Sequence, residues 1–248
     1  MSKKQKNLAV LASVFLMLLT IAPVSNAMHI MEGFLPVKYC ILWGVICVPF
    51  LVIGFMNIKK VLGNDRRTLT VLALTGAFVF VLSSLKIPSV TGSCSHMTGT
   101  GLGAILFGPC VTSILGIIVL IFQAILLAHG GLTTIGANTF SMAIAGPFVT
   151  FAIYKVCQKC KVNKMVAIFL SATLGDLFTY CVTAVQMALA HHADTTILNA
   201  MGKFLLVFAP TQVPLAIIEG ILTVLIIMAL ETYAKPELRA IGFMKEAK

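Results

Sequence analysis

Six apolar stretches, at residues 39–58, 69–87, 101–128, 138–156, 165–190 and 204–232, leave this chain few ways to fold. Each is close to or longer than the roughly 20 residues that cross the hydrocarbon core of a bilayer as a helix. In lipid every backbone N–H and C=O must find its partner within the protein, so these stretches are predicted to be helices and the chain an all-α bundle. With 59% hydrophobic and 10% charged residues among 248, too little polar surface exists to coat a soluble globule. The chain reads as a multi-pass protein of the cell membrane.

The formal charge of +10 is concentrated at residues 2–7, 59–67, 155–164 and 235–248. Basic residues in short links mark cytoplasmic flanks, not a nucleic-acid-binding stripe, and no nucleic-acid partner is expected. With those links inside, the C-terminus is cytoplasmic, while residue 28, the 88–100 loop, the loop at His129 and the loop at His191 and His192 fall outside. Both ends of the 101–128 region are then external, so it crosses an even number of times, as two short helices broken near Gly108–Pro109 or as a re-entrant hairpin. About seven transmembrane segments result.

Lys3, Lys4 and Lys6, an apolar run over 8–22, Pro23 and Ser25-Asn26-Ala27 fit a signal peptide cleaved after Ala27. An uncleaved first helix and a start at Met28 are the alternatives. The expected organisation is a leader over 1–27 and one integral membrane metal-binding domain over 28–248.

A chain that starts at Met28 begins Met-His. The free amine of Met28, the amide nitrogen of His29 and the His29 imidazole can then close five- and six-membered chelate rings on one cation. In the external loop His96, followed by Gly99, Gly101 and Gly103, is the natural fourth nitrogen. Taken alone it reads as a solvated loop histidine, and the joint pattern reverses that reading. Planar nitrogen donors suit Ni(II) and Cu(II), with Co(II) also possible.

Thr173, Asp176, Thr179, Tyr180, Thr183 and Gln186 recur at helical spacing and form one polar face. Asp176 is costly at membrane depth and needs a partner, for which Asn138, Gln123 and Gln212 are candidates, with Glu219 a second intramembrane acid. Asp176, Tyr180 and Asn138 are possible supports for the metal site, although tying helices together is the plainer role. His191, His192 and Asp194 are reserve ligands, and His129 reads first as a helix-end cap. The seven cysteines lie mostly within apolar runs and suggest no disulfide framework, while Cys157-Gln-Lys-Cys160 lacks further ligands for a zinc site. No GxxxxGK[ST], GxSxG or HExxH pattern occurs, so neither an ATPase nor a hydrolase is indicated.

Met28-His-Ile-Met-Glu-Gly-Phe-Leu-Pro36, Gly92-Ser-Cys-Ser-His96, Thr98-Gly-Thr-Gly-Leu-Gly-Ala-Ile-Leu-Phe-Gly-Pro109, Gly131-Leu-Thr-Thr-Ile-Gly-Ala-Asn-Thr-Phe-Ser-Met142 and Gly175-Asp176 resemble the CbiM/NikM family, and the cobalt branch most closely. These are substrate-binding membrane components of energy-coupling-factor transporters. The resemblance implies an ATP-driven cobalt importer for cobalamin biosynthesis, with metal ligands at Met28, His29 and His96. It implies no prosthetic group, Co(II) as cargo with Ni(II) the alternative, and three kinds of partner: a transmembrane coupling component, a pair of ABC ATPases and a small CbiN-like membrane protein. Two competing classes are a proton-coupled secondary carrier using Asp176 or Glu219 and a metal-independent membrane scaffold or enzyme.

Overall fold

Helices occupy all six apolar stretches in the computed structural model, which describes residues 29–62, 66–88, 94–192 and 195–244. The leader expected over 1–27, Met28 and Asp194 lie outside the described residues. The helices are α1 (Val37–Leu62), α2 (Arg66–Ser84), α3 (Thr100–Phe107), α4 (Pro109–Leu126), α5 (Ile135–Asn138), α6 (Gly146–Lys159), α7 (Lys164–Ala190), α8 (Ile197–Tyr233) and the short α9 (Lys235–Ala240). A π-helical stretch, Thr139–Ala145, joins α5 to α6 without a break. The six continuous units α1, α2, α4, α5–α6, α7 and α8 are each long and apolar enough to span a membrane.

The expected interruption of the 101–128 region falls at Gly108, whose φ of 83° is open to glycine at little cost. Its N–H caps α3 on the Ala104 carbonyl, and Pro109 opens α4 at the position where a missing N–H does no harm. The two halves are unequal: α3 has 8 residues and α4 has 18. Gln123 near the end of α4 donates to Ser83 Oγ near the end of α2 at 2.6 Å, so these two helices finish side by side. The intervening chain therefore has to travel back through the bundle. A two-residue antiparallel pair, β1 (Ile87–Pro88) with β2 (Cys94–Ser95), turns it inward, and the buried α3 completes the return.

The middle of the bundle is polar where it needs to be. Half of the most apolar window of α7 is buried, against 11% for α1, so α7 is central and α1 peripheral. The polar stripe of α7 from Thr173 to Gln186 is buried throughout. Asn163 caps α7 by accepting from Met165 N–H, and Thr196 caps α8 in the same way from Asn199. α8 runs 37 residues, about 55 Å at 1.5 Å per residue, and carries Pro210 and Pro214 in its interior. Beneath α3, Leu102, Ile105 and Leu106 join Val71, Tyr154, Ile168, Ile227 and Leu238 in an apolar cluster that closes the end of the bundle remote from the histidines.

α5 is seated by a close backbone approach. A Cβ added to Gly136 would stand 2.6 Å from the Gly44 nitrogen and 2.7 Å from its Cα, atoms of α1 that no side-chain rotation can move. Gly136→Ala is expected to destabilise the protein by about 1–3 kcal/mol, the usual cost of overpacking. Gly44→Ala, whose added Cβ meets nothing within 4 Å, is the matched control and should not lower the melting temperature in detergent.

Candidate metal centre

Three loops bring histidines to the same end of the bundle. The segment 29–36 lies against α5 and the loop before it. Ile30 N–H donates to Asn138 Oδ1 at 2.8 Å, Asn138 Nδ2 returns a bond to the Ile30 carbonyl at 3.0 Å, and Thr134 O–H adds a third at 2.6 Å. The Glu32 carboxylate accepts the side chain and backbone N–H of Thr133. Those bonds hold its pKa below the usual carboxylate value. Fixed in this way, the His29 ring is buried.

His96 follows β2 in a loop anchored from below by the two central helices. Glu219 of α8 accepts Thr98 N–H at 2.6 Å and the Thr98 hydroxyl at 3.0 Å. Asp176 of α7 accepts the same N–H at 3.2 Å, and Gln212 donates to both Asp176 Oδ2 (2.6 Å) and the His96 carbonyl (3.3 Å). Gly99 completes the turn at φ 68°, where a Cβ would press within 3.0 Å of the Val79 Cα. His129 follows α4, its N–H bonded to the Gln123 carbonyl at 3.1 Å. Positive φ at Ala128 (46°) and Gly130 (79°) swings its ring inward.

The three imidazoles offer nitrogens that all lie within 4.8 Å of one another. His29 and His96 stack at a centroid distance of 4.5 Å with 16° between planes, and His129 stands edge-on to both. His29 Nδ1 is 2.7 Å from His129 Nε2. His96 Nδ1 donates to the Met97 carbonyl at 2.9 Å, which assigns its proton and leaves Nε2 with a bare lone pair. That atom is buried and has no hydrogen-bond partner among the described residues. An unpaired buried acceptor costs free energy unless something binds it.

Burial pushes the imidazoles toward the neutral form. His96 falls to about 4 through desolvation, with a smaller contribution from Lys86. His129 falls to about 2 through desolvation and then the neighbouring His96, and His29 falls well below its ordinary value for the same reasons. At neutral pH all three lone pairs are therefore free of protons. Neutral imidazole suits borderline first-row divalent ions, so the donor set fits a transition metal.

The same shifts govern acid stability. An unfolded chain protonates these rings near pH 6.5, whereas the folded chain excludes the protons, so the unfolded state binds more of them as pH falls and stability is lost below about 6.5. The loss levels off once the folded-state values are passed. For His96, the drop at pH 5 is about 2 kcal/mol. The metal-free melting temperature is expected to fall between pH 7 and 5, and His96→Gln to flatten that fall.

The residues singled out in the sequence separate into groups. His29 and His96 meet, and Asn138 lies one contact away, holding the Ile30 backbone. Asp176 supports the His96 loop, whereas Tyr180 binds the Leu205 and Phe204 carbonyls and ties α7 to α8. His191 bonds the Phe34 carbonyl and His192 the Ala188 carbonyl, apart from the cluster. His129, read from the sequence first as a helix cap, instead turns its ring into the cluster. The signal that could have placed it was the membrane parity, which put its loop on the same face as His29 and His96.

A family model described as the cobalt uptake substrate-specific transmembrane region, CbiM, matches residues 29–238. The cobalt transport protein CbiM of Lachnoclostridium phytofermentans is 68% identical over 245 residues, covering 98% of each chain. That of Chlorobium limicola is 56% identical over 234 residues, 93% of this chain and 92% of its own. Among solved structures, a truncated transition metal transporter superimposes with a TM-score of 0.74 at 26% identity, covering 83% of this chain and 99% of that one. A second transition metal transporter gives 0.72 at 27% identity, covering 82% and 92%.

Proposed function

The chain belongs to the CbiM family of cobalt uptake substrate-specific transmembrane regions, and from that premise we propose that it is the capture component of an ATP-driven, energy-coupling-factor cobalt importer. It is a multi-pass protein of the cell membrane and a component of cobalt transport. The observation that carries the finer reading is the buried, unpartnered Nε2 of His96 within ligand reach of two further neutral imidazoles.

In this reading Co(II) arrives from outside and is held by the Met28 amine, the His29 amide nitrogen and Nδ1, and His96 Nε2. His129, at 2.7 Å from His29 Nδ1, occupies that nitrogen until the ion takes its place. The Glu219–Thr98 and Asp176–Gln212 bonds keep the His96 loop in register with the N-terminal segment. Both intramembrane acids thereby hold the His96 loop in place. The partners are a transmembrane coupling component, a pair of ABC ATPases and a small CbiN-like protein, and the imported ion serves cobalamin biosynthesis.

Cells producing the whole transporter should accumulate radioactive cobalt in preference to nickel, and lose that uptake when the ATPases are omitted. Full uptake without ATPases would transfer the function to a secondary carrier. Nickel uptake with negligible cobalt uptake would replace the cargo.

A further inference from the structure

His29 has two ring nitrogens and, when neutral, one proton to place between them. Nδ1 faces His129 Nε2 at 2.7 Å, and Nε2 faces the thioether sulfur of Met142 at 3.3 Å. Met142 is fully enclosed at the centre of the π-helical stretch. A thioether has no proton to give. If Nε2 were bare, two sets of lone pairs would confront each other in a buried site and a hydrogen bond would be forfeited. If Nε2 carries the proton, it donates to sulfur, Nδ1 is left bare, and His129 Nε2–H donates to it. Every contact is then satisfied.

The choice of nitrogen matters for chelation. Nδ1 is separated from the residue's own amide nitrogen by Cα, Cβ and Cγ, so these two nitrogens close a six-membered ring on an ion. Nε2, on the far side of the imidazole, cannot. We propose that Met142 is a positioning residue for metal capture, its sulfur holding His29 as the Nε2–H tautomer so that Nδ1 is presented to the ion. This rests on the capture reading above.

The chemistry of sulfur fits a carrier. Metal-bound histidines usually donate their second N–H to a carboxylate or carbonyl, which fixes the ring and raises its basicity. A neutral thioether fixes the ring while adding no charge and little basicity, leaving a ligand that holds its ion less tightly and can surrender it. The local fold supports the role, because Asn138, one turn earlier, grips the Ile30 backbone while Met142 meets the adjacent ring. π-helical turns are rare and are concentrated at functional sites.

The test uses protein beginning at Met28, labelled with nitrogen-15 at histidine, and Co(II) as the probe. In the metal-free protein the nitrogen spectrum of His29 should report the Nε2–H tautomer. Met142→Leu keeps the volume of the side chain and should shift His29 toward the Nδ1–H form while weakening Co(II) binding by about 10- to 100-fold. Met142→Gln returns an acceptor and should restore both. A parent His29 in the Nδ1–H form, or an Nε2–H form that survives Met142→Leu with unchanged affinity, overturns the proposal. A sulfur neighbour to cobalt in X-ray absorption also overturns it, by making Met142 a ligand. Failure of the capture reading looks different: Co(II) binding would then persist unchanged in His29→Ala and His96→Ala, whatever the tautomer.

Discussion

Alanine at position 96 is expected to reduce Co(II) affinity by more than about 100-fold, beyond the 10- to 100-fold that removal of an outer partner costs. His96 Nε2 is buried and unpartnered among the described residues, so its lone pair has no competing use there. The fold should survive. The anchors of this loop, Glu219 and Asp176, bind Thr98, and Gln212 binds the His96 carbonyl, all of which alanine leaves intact. Calorimetric titration of the purified variant with CoCl2, alongside its helical circular dichroism, measures both. Parental affinity in a folded His96→Ala protein would remove the site from this cluster.

Closing the Met28 amine is expected to be as damaging. A chain with one extra residue before Met28 carries a peptide bond where the proposed ligand has a free amine, and the first chelate ring cannot form. Co(II) affinity should again fall by more than about 100-fold, since a first-sphere donor is lost together with the ring it closes. The alternative is a site made of His29, His96 and His129 alone, which the 4.8 Å grouping of their nitrogens would permit. Unchanged affinity in the extended protein, with binding still lost in His129→Ala, would select that site. Intact mass must accompany both titrations, because removal of the extra residue would restore the amine.

Much of the architecture is legible in the sequence because it rests on local composition. The apolar runs, the basic links and the Gly108–Pro109 interruption each need no knowledge of distant residues. The direction each half of that region takes was less accessible. A run from 101 to 128 looks uniformly apolar, and the Gln123–Ser83 bond, not hydropathy, places α4 beside α2 and makes α3 the short returning piece. Among partners expected for Asp176, Gln212 reaches it at 2.6 Å, whereas Asn138 binds Ile30 and Gln123 binds Ser83. Glycine-lined contacts drew α5 against α1 and committed Asn138 to the N-terminal segment, a consequence of backbone approach that residue type alone does not encode.

The sequence by itself determined that this chain spans a membrane and singled out His29 and His96 as the ligands proposed for the metal, because hydropathy, chelate-ring size and turn chemistry act between near neighbours. The tertiary structure alone decided that His129 joins them, that Thr98 hangs from Glu219 and that Met142 meets the His29 ring. These pairs are separated by 100, 121 and 113 residues. Their contact depends on how the ends of packed helices align, which is a property of the whole bundle.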